Sequence, residues 1–400
     1  MKELAKQPET DLFLIVNIDT QYLKLDYDIR TEIRKDRKGT EWKYKLYVIP
    51  PEMQSSIAQS SIRVIHSNLE IIPAMCVQAE VRQVEAIAEQ KFVSQIELST
   101  KAKLSAADSS RIVRATEVWG SAKGRDVVVS VVDTGINEIK PLKGKINDSR
   151  DWTFEGEHDT YLKDDEQGHY FHGHGTSVAS IITYVAPEAQ ILNYKAIHPY
   201  VGKAGSSPDR ANVIDAIKES VKSKVNRADV INLSLGFDPS QCSTGHCDLC
   251  EAVDNAVAAG LNVVAAVGNE KGRSPPDCPA QAREAISVAA STKSDTIWEF
   301  GSTGPTNDRR DKPDVVAPGS GILIECAKDG LESRAGTSFS AAFVSGVVAL
   351  CREKTTFPTD IKDALRSKAV RLKDPNTGTP YHKHIQGEGR IDAKATYDYL

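Results

Sequence analysis

Short, almost unbroken apolar runs alternate with segments of helical period through most of the chain beyond residue 105. Val127-Val128-Val129-Ser130-Val131-Val132 and Asn262-Val263-Val264-Ala265-Ala266-Val267 have the character of strands buried on both faces. Strands are predicted over 126–133, 190–196, 230–236, 262–268, 285–290 and 321–326. Helices are predicted over 175–185, 210–224, 247–259, 338–353, 358–369 and 391–399. Strands alternating with helices imply an α/β fold, a mostly parallel sheet covered on both faces. In such sheets functional groups collect beyond the C-terminal ends of the strands.

The preceding stretch reads differently. Strands over 44–49, 62–65, 74–79 and 92–98 and helices over 52–61 and 81–90 predict a small α+β unit, with Val81, Val84, Ile87 and Ala88 on one helix face. Before it, only Leu12-Phe13-Leu14-Ile15-Val16 is strand-like and the rest carries mixed charge. The predicted organisation is thus an extension without an assigned role (1–41), an α+β domain (42–104) and an α/β domain (105–400).

Composition narrows the function classes. A chain of 400 residues, 40% hydrophobic, can bury one large and one smaller core. A net charge of −5 gives no general attraction to nucleic acid or anionic membranes, and Arg34-Lys35-Asp36-Arg37-Lys38 reads as a solvated hairpin tip. Residues 1–11 lack a signal-peptide core and no later run could span a bilayer, so a cytoplasmic location is expected. Seven cysteines form no small disulfide scaffold and suit a reducing compartment.

The chemistry centres on Arg334-Ala335-Gly336-Thr337-Ser338-Phe339, where a small-residue turn runs into an apolar helix. Ser338 would sit in the first turn, whose outward amides and positive dipole end favour the oxyanion formed when a serine attacks a carbonyl. Taken alone, Gly-Thr-Ser before an apolar helix is usually just an N-cap. A serine also needs a base, and the base a carboxylate to orient it. Asp133 ends the first apolar strand before Thr134-Gly135, and His174 stands in His172-Gly173-His174-Gly175-Thr176, ahead of a small-residue helix. Asn269 follows another strand through Gly268, where its amide could donate to the oxyanion.

Asp-Thr-Gly, His-Gly-Thr, Gly-Asn and Gly-Thr-Ser, in this order, resemble the subtilisin-like serine proteases over roughly residues 105–395. Asn232-Leu233-Ser234-Leu235-Gly236 and Lys312-Pro313-Asp314-Val315-Val316-Ala317-Pro318-Gly319 extend the resemblance. It implies a subtilisin-like three-layer fold and an endopeptidase with Asp133, His174 and Ser338 as catalytic residues, Asn269 as oxyanion donor and no cofactor required for catalysis. Protein or peptide substrate would pair along Ser234, Leu235 and Gly236 and along Ala266, Val267 and Gly268. Asp277 would lie at the base of the primary specificity pocket, where a carboxylate selects Lys or Arg. The α+β unit resembles the family's inhibitory propeptide, an intramolecular inhibitor released by self-cleavage after Lys101 or Lys103, or else after Leu104. Phe339 and Ala342 depart from the usual Met and Pro, and neither change removes a catalytic atom. Runner-up functions are a catalytically silent peptide-binding protein of this fold and a latent protease released by a partner.

Metal candidates remain. Cys242, Cys247, Cys250 and Cys278 follow neighbouring strands, so their sulfurs are candidates for a structural Zn2+, with reduced thiols or disulfides as alternatives. Glu155, Glu157, Asp159, Asp164, Asp165 and Glu166 are calcium candidates in what reads otherwise as a solvated insertion. His169, His172 and His174 form no His-Glu-x-x-His motif. Cys76, Cys326 and Cys351 read as core cysteines.

Overall fold

The computed structural model describes the chain except residues 1–10, 19, 24–28, 36–40, 48, 58–61, 67–73, 99–104, 154–172, 198–208, 223–226, 243–246 and 327–329. It divides into two units, 1–102 and 103–400. The expected cleavage residues Lys101, Lys103 and Leu104, the acidic run and both His169 and His172 lie outside the described residues.

The first unit comprises β1 (Asp11–Ile18), β2 (Ile29–Lys35), β3 (Glu41–Tyr47), α1 (Pro51–Ile57), β4 (Arg63–His66), β5 (Ala74–Glu80), α2 (Val84–Ala88) and β6 (Val93–Leu98). Its main sheet has the order β4-β5-β1-β6, with β1 antiparallel to both neighbours. Ile18, Leu23, Ile49, Ile57, Ala79, Val84 and Ile87 form the core. This corrects the expected extension: β1 lies between β5 and β6, and β2 pairs with β3 from Ile29 opposite Tyr47 to Lys35 opposite Glu41. Residues 11–41 are therefore part of the α+β unit. The partners of β1 stand far along the chain, which local patterning does not register.

The second unit runs α3 (Ser105–Ile112), β7 (Val128–Asp133), β8 (Ile146–Asp151), α4 (His174–Val185), β9 (Gln190–Lys195), α5 (Asp209–Lys222), β10 (Val230–Leu233), α6 (Asp248–Ala258), β11 (Asn262–Ala266), β12 (Ile286–Ser291), β13 (Val315–Pro318), β14 (Ile322–Cys326), β15 (Gly330–Arg334), α7 (Thr337–Arg352), α8 (Pro358–Ser367), α9 (Lys383–Gln386) and α10 (Ala393–Tyr399). Seven parallel strands form the sheet β13-β12-β11-β10-β7-β9-β8. Side chains alternate across it as strand geometry requires. Val129, Val131, Val264 and Val288 join α4 and α7 on one face, whereas Val132, Ile231, Val263 and Ala265 join α5 and α6 on the other. The α/β expectation holds.

Among the described residues of this unit, three strands were not anticipated. β8 is a polar edge strand, β13 lies inside the Lys312–Gly319 segment, and β15 pairs antiparallel with β14 in a separate ribbon. α7 is buried from Thr337 to Cys351, consistent with its apolar composition on every side. The sheet edge is locked by a buried ion pair: Lys312 Nζ donates to Asp314 Oδ2 at 2.6 Å and to the Ala285 carbonyl at 2.8 Å. The Ser287 amide and hydroxyl donate to the same carboxylate oxygen at 2.9 and 3.0 Å. Among the described residues no helix is long and apolar enough to cross a membrane.

Candidate active site

β7, β10 and β11 end side by side and deliver Asp133, Ser234 and, through Val267-Gly268, Asn269 to one edge of the sheet. The starts of α4 and α7 bring His174 and Ser338 to the same edge, where a cleft of about 1010 Å3 is lined by Asp133, His174, Ser234, Asn269, Asp277 and Ser338, among others.

Asp133 is buried, and its Oδ1 accepts from the Thr134 amide at 2.8 Å, from the Thr134 hydroxyl at 3.2 Å and from His174 Nδ1 at 2.7 Å. A carboxylate can only accept, so the imidazole proton sits on Nδ1 and Nε2 is the basic nitrogen of the neutral ring. The approach of α4 to β7 depends on Gly175: a Cβ there would lie 2.2 Å from the Gly135 carbonyl oxygen and 3.2 Å from Asp133 Oδ1. The Gly175 amide donates to Thr134 Oγ1 at 3.1 Å, tying the histidine-bearing turn to the strand end. Phe339 packs against the imidazole with ring centroids 5.8 Å apart, so the residue standing in place of the usual Met covers the base.

Ser338 lies in the first turn of α7 and is only 8% exposed. Its hydroxyl donates to the Ser234 carbonyl at 3.1 Å, and the Ser234 hydroxyl donates back to the Ser338 carbonyl at 2.7 Å. Asn232 Nδ2 supports Ser234 Oγ at 2.9 Å. Asn269 is oriented by Thr337, whose amide and hydroxyl donate to Asn269 Oδ1 at 2.9 and 3.0 Å. A backbone amide cannot accept, so the side-chain oxygen must face Thr337 and the NH2 group is turned away from it. The Ser338 amide stands where a helix has no preceding carbonyl to accept it. Asn269 and Ser338, which carry these two donors, line the same cleft.

Leu235, Gly236, Ala266 and Gly268 line the cleft with Ser234, but Val267 is fully buried in the core on the α5–α6 face. Asp277 is largely buried between the backbones of Gly236 and Gly268. A Cβ at Gly236 would come within 2.5 Å of Asp277 Oδ2, and one at Gly268 within 2.3 Å, so both glycines are needed for the carboxylate to sit there. The Asp277 amide donates to the Val267 carbonyl at 2.9 Å, and Phe237 and Cys278 exchange backbone hydrogen bonds of 2.8 and 3.1 Å. Burial pushes the Asp277 carboxyl up to about 6, against the opposing pull of Arg273, with which it forms an ion pair.

Thr134, Thr337 and Arg273 are the contributors that sequence reasoning missed. Each had a readable signal: a hydroxyl residue beside Asp133 and beside Ser338, and a cation four residues before Asp277. Trp298, Phe300, Glu332 and Arg334 complete the cleft wall.

A family model described as the subtilase family matches residues 124–389. The major intracellular serine protease of Bacillus subtilis is 32% identical over 271 residues, covering 64% of this chain and 78% of the relative. The intracellular serine protease of Paenibacillus polymyxa is 32% identical over 292 residues, 70% of this chain and 83% of the relative. Thermitase of Thermoactinomyces vulgaris is 29% identical over 298 residues, 72% and 94% of the two chains.

Proposed function

The chain belongs to the subtilase family and is a subtilisin-like serine endopeptidase, and we propose that it cleaves peptide bonds through an acyl-enzyme on Ser338. The observation that carries this assignment is the 2.7 Å Asp133–His174 hydrogen bond opening on the cleft that also holds Ser338. His174 Nε2 takes the hydroxyl proton as Oγ attacks the carbonyl and later returns it to the leaving amine. Asp133 keeps the ring in the required tautomer and stabilises its cationic form. The Asn269 NH2 and the Ser338 amide receive the oxyanion, while extended substrate pairs with residues 234–236 as an added strand. Ser338→Ala should lower kcat on a protein substrate by about 10^6-fold, the loss that removing the nucleophile causes in subtilisin. Undiminished hydrolysis by that variant would reject the assignment.

The finer reading concerns selection and control. Asp277, between two side-chain-free backbones, is a receptor for Lys or Arg before the cleaved bond, with Arg273 as an internal cation competing for the carboxylate. The α+β unit acts as an inhibitory propeptide, removed by self-cleavage between residues 101 and 105. Action inside the cell is supported by the names of the Bacillus and Paenibacillus relatives, both intracellular serine proteases.

A further inference from the structure

Among the described residues, and apart from the catalytic groups, four cysteines gather beside the segment that carries Asp277. Cys242 ends the turn Pro239–Cys242, Cys247 caps the N-terminus of α6, Cys250 lies in the first turn of that helix, and Cys278 follows Asp277. Their four sulfurs all lie within 4.8 Å of one another. Cys242 and Cys250 are 3.7 Å apart, Cys247 and Cys278 3.6 Å, and Cys250 and Cys278 3.7 Å. A disulfide would need about 2.05 Å. Four thiolates placed about 2.3 Å from one tetrahedral Zn2+ stand about 3.8 Å from each other, close to these three distances, and the other three pairs lie within 4.8 Å.

Burial of Cys242, Cys250 and Cys278 favours neutral thiols unless a cation compensates the charge, and the helix start and neighbouring donors supply part of that compensation. Cys247 and Cys250 stand at the start of a helix, where unpaired amides and the dipole favour negative sulfur. Arg210, paired with Asp248, adds a cation that also interacts with Cys247. Gln281 Nε2 donates to Cys278 Sγ at 3.8 Å, a neighbouring donor of the kind that orients metal ligands.

We propose that Cys242, Cys247, Cys250 and Cys278 bind one structural Zn2+, which clips the loop after β10 and the start of α6 to the residue beside Asp277. Thiolates select a soft-tolerant tetrahedral ion, and four protein ligands leave no open position for substrate. The ion therefore acts on shape: through Cys278, paired with Phe237, it holds the segment that carries Asp277 between Gly236 and Gly268. This goes beyond the catalytic assignment, because a metal site can be tested in a chain that has no nucleophile.

The test uses full-length Ser338→Ala protein, which avoids self-digestion, purified without chelator. Elemental analysis should give one zinc per chain, and Cys247→Ser combined with Cys250→Ser should abolish it while Cys351→Ala retains it. Should the double variant fail to fold, Co2+ substitution of the otherwise unaltered chain provides the second readout, the charge-transfer and d–d bands of tetrahedral thiolate cobalt. Extraction of the metal should lower the thermal midpoint, and added Zn2+ should restore it. Protein that neither contains zinc nor takes it up from a competing chromophoric chelator, or that carries disulfides among these cysteines, would overturn the proposal. So would zinc whose removal leaves the thermal midpoint unchanged.

Discussion

Ser338 and Ser234 hold each other through two hydrogen bonds, hydroxyl to carbonyl in each direction. The first positions the nucleophile and the second anchors the start of α7 to the end of β10. Ser234→Ala would remove one bond and leave the buried Asn232 amide without this acceptor. A cost of about 1–3 kcal/mol is expected, read as a lower unfolding midpoint together with a fall in kcat larger than any rise in KM. An unchanged midpoint and kcat would show that the bond is dispensable.

Asn269 is held by Thr337 so that its NH2 is directed away from the helix start. Asn269→Ala should lower kcat by about 100- to 1000-fold, the loss seen when the oxyanion donor is removed from subtilisin. KM should change little, because the donor meets charge that develops only in the transition state. Equal damage to kcat and KM would point to a structural role instead.

Arg273 and Asp277 make opposing predictions about selectivity. Asp277→Ala should abolish any preference for Lys or Arg before the cleaved bond. Arg273→Ala should sharpen that preference, by roughly 10- to 100-fold in relative kcat/KM if a charge-assisted bond of about 1.5–3 kcal/mol is transferred to substrate. Profiling a peptide library with both variants decides the matter; two profiles matching the parent would remove Asp277 from the pocket.

The Lys312–Asp314 pair is fully enclosed, so its two halves are not independently removable. Lys312→Met should destabilise by up to about 3–5 kcal/mol, because it leaves the buried carboxylate with Arg366, 3.7 Å from Oδ1, as its remaining ion-pair partner. Burial pushes the Asp314 carboxyl up, but Lys312, Lys362 and the bonds from Lys312 and Ser287 outweigh it and hold it below the usual carboxylate range. Its contribution is therefore complete above the ordinary carboxyl pKa and is lost as the pH falls through the lowered value. Acid titration of unfolding in parent and variant tests this, and parallel curves would contradict it.

Much of the α/β unit was legible because its strands are buried on both faces, which makes runs such as 127–132 unmistakable. The catalytic groups were legible for a related reason: Asp133 and Asn269 interrupt or follow those runs where an apolar residue would otherwise continue. β8 escaped because its polar sequence pairs only with β9 at the sheet edge. β2 escaped because Arg30, Glu32 and Arg34 mask the period-two spacing of Ile29, Thr31 and Ile33. The place of β1 was illegible for a deeper reason, since its partners β5 and β6 follow more than fifty residues later. Arg273 stands four residues before Asp277, but that spacing becomes a pairing only through the fold of the loop.

Self-processing has its own signature. Freshly purified parent chain should lose its first hundred or so residues by cleavage between residues 101 and 105, while Ser338→Ala stays whole. Cleavage of both proteins alike, or of neither, would refute the propeptide reading while leaving the nucleophile in place.

The most direct test of the account is to treat the parent chain with a fluorophosphonate and locate the adduct by peptide mass spectrometry. A single adduct on Ser338, absent after prior heat unfolding and strongly slowed in His174→Ala, is the predicted result. An adduct on another residue, or labelling of Ser338 at the same rate without His174, would contradict it.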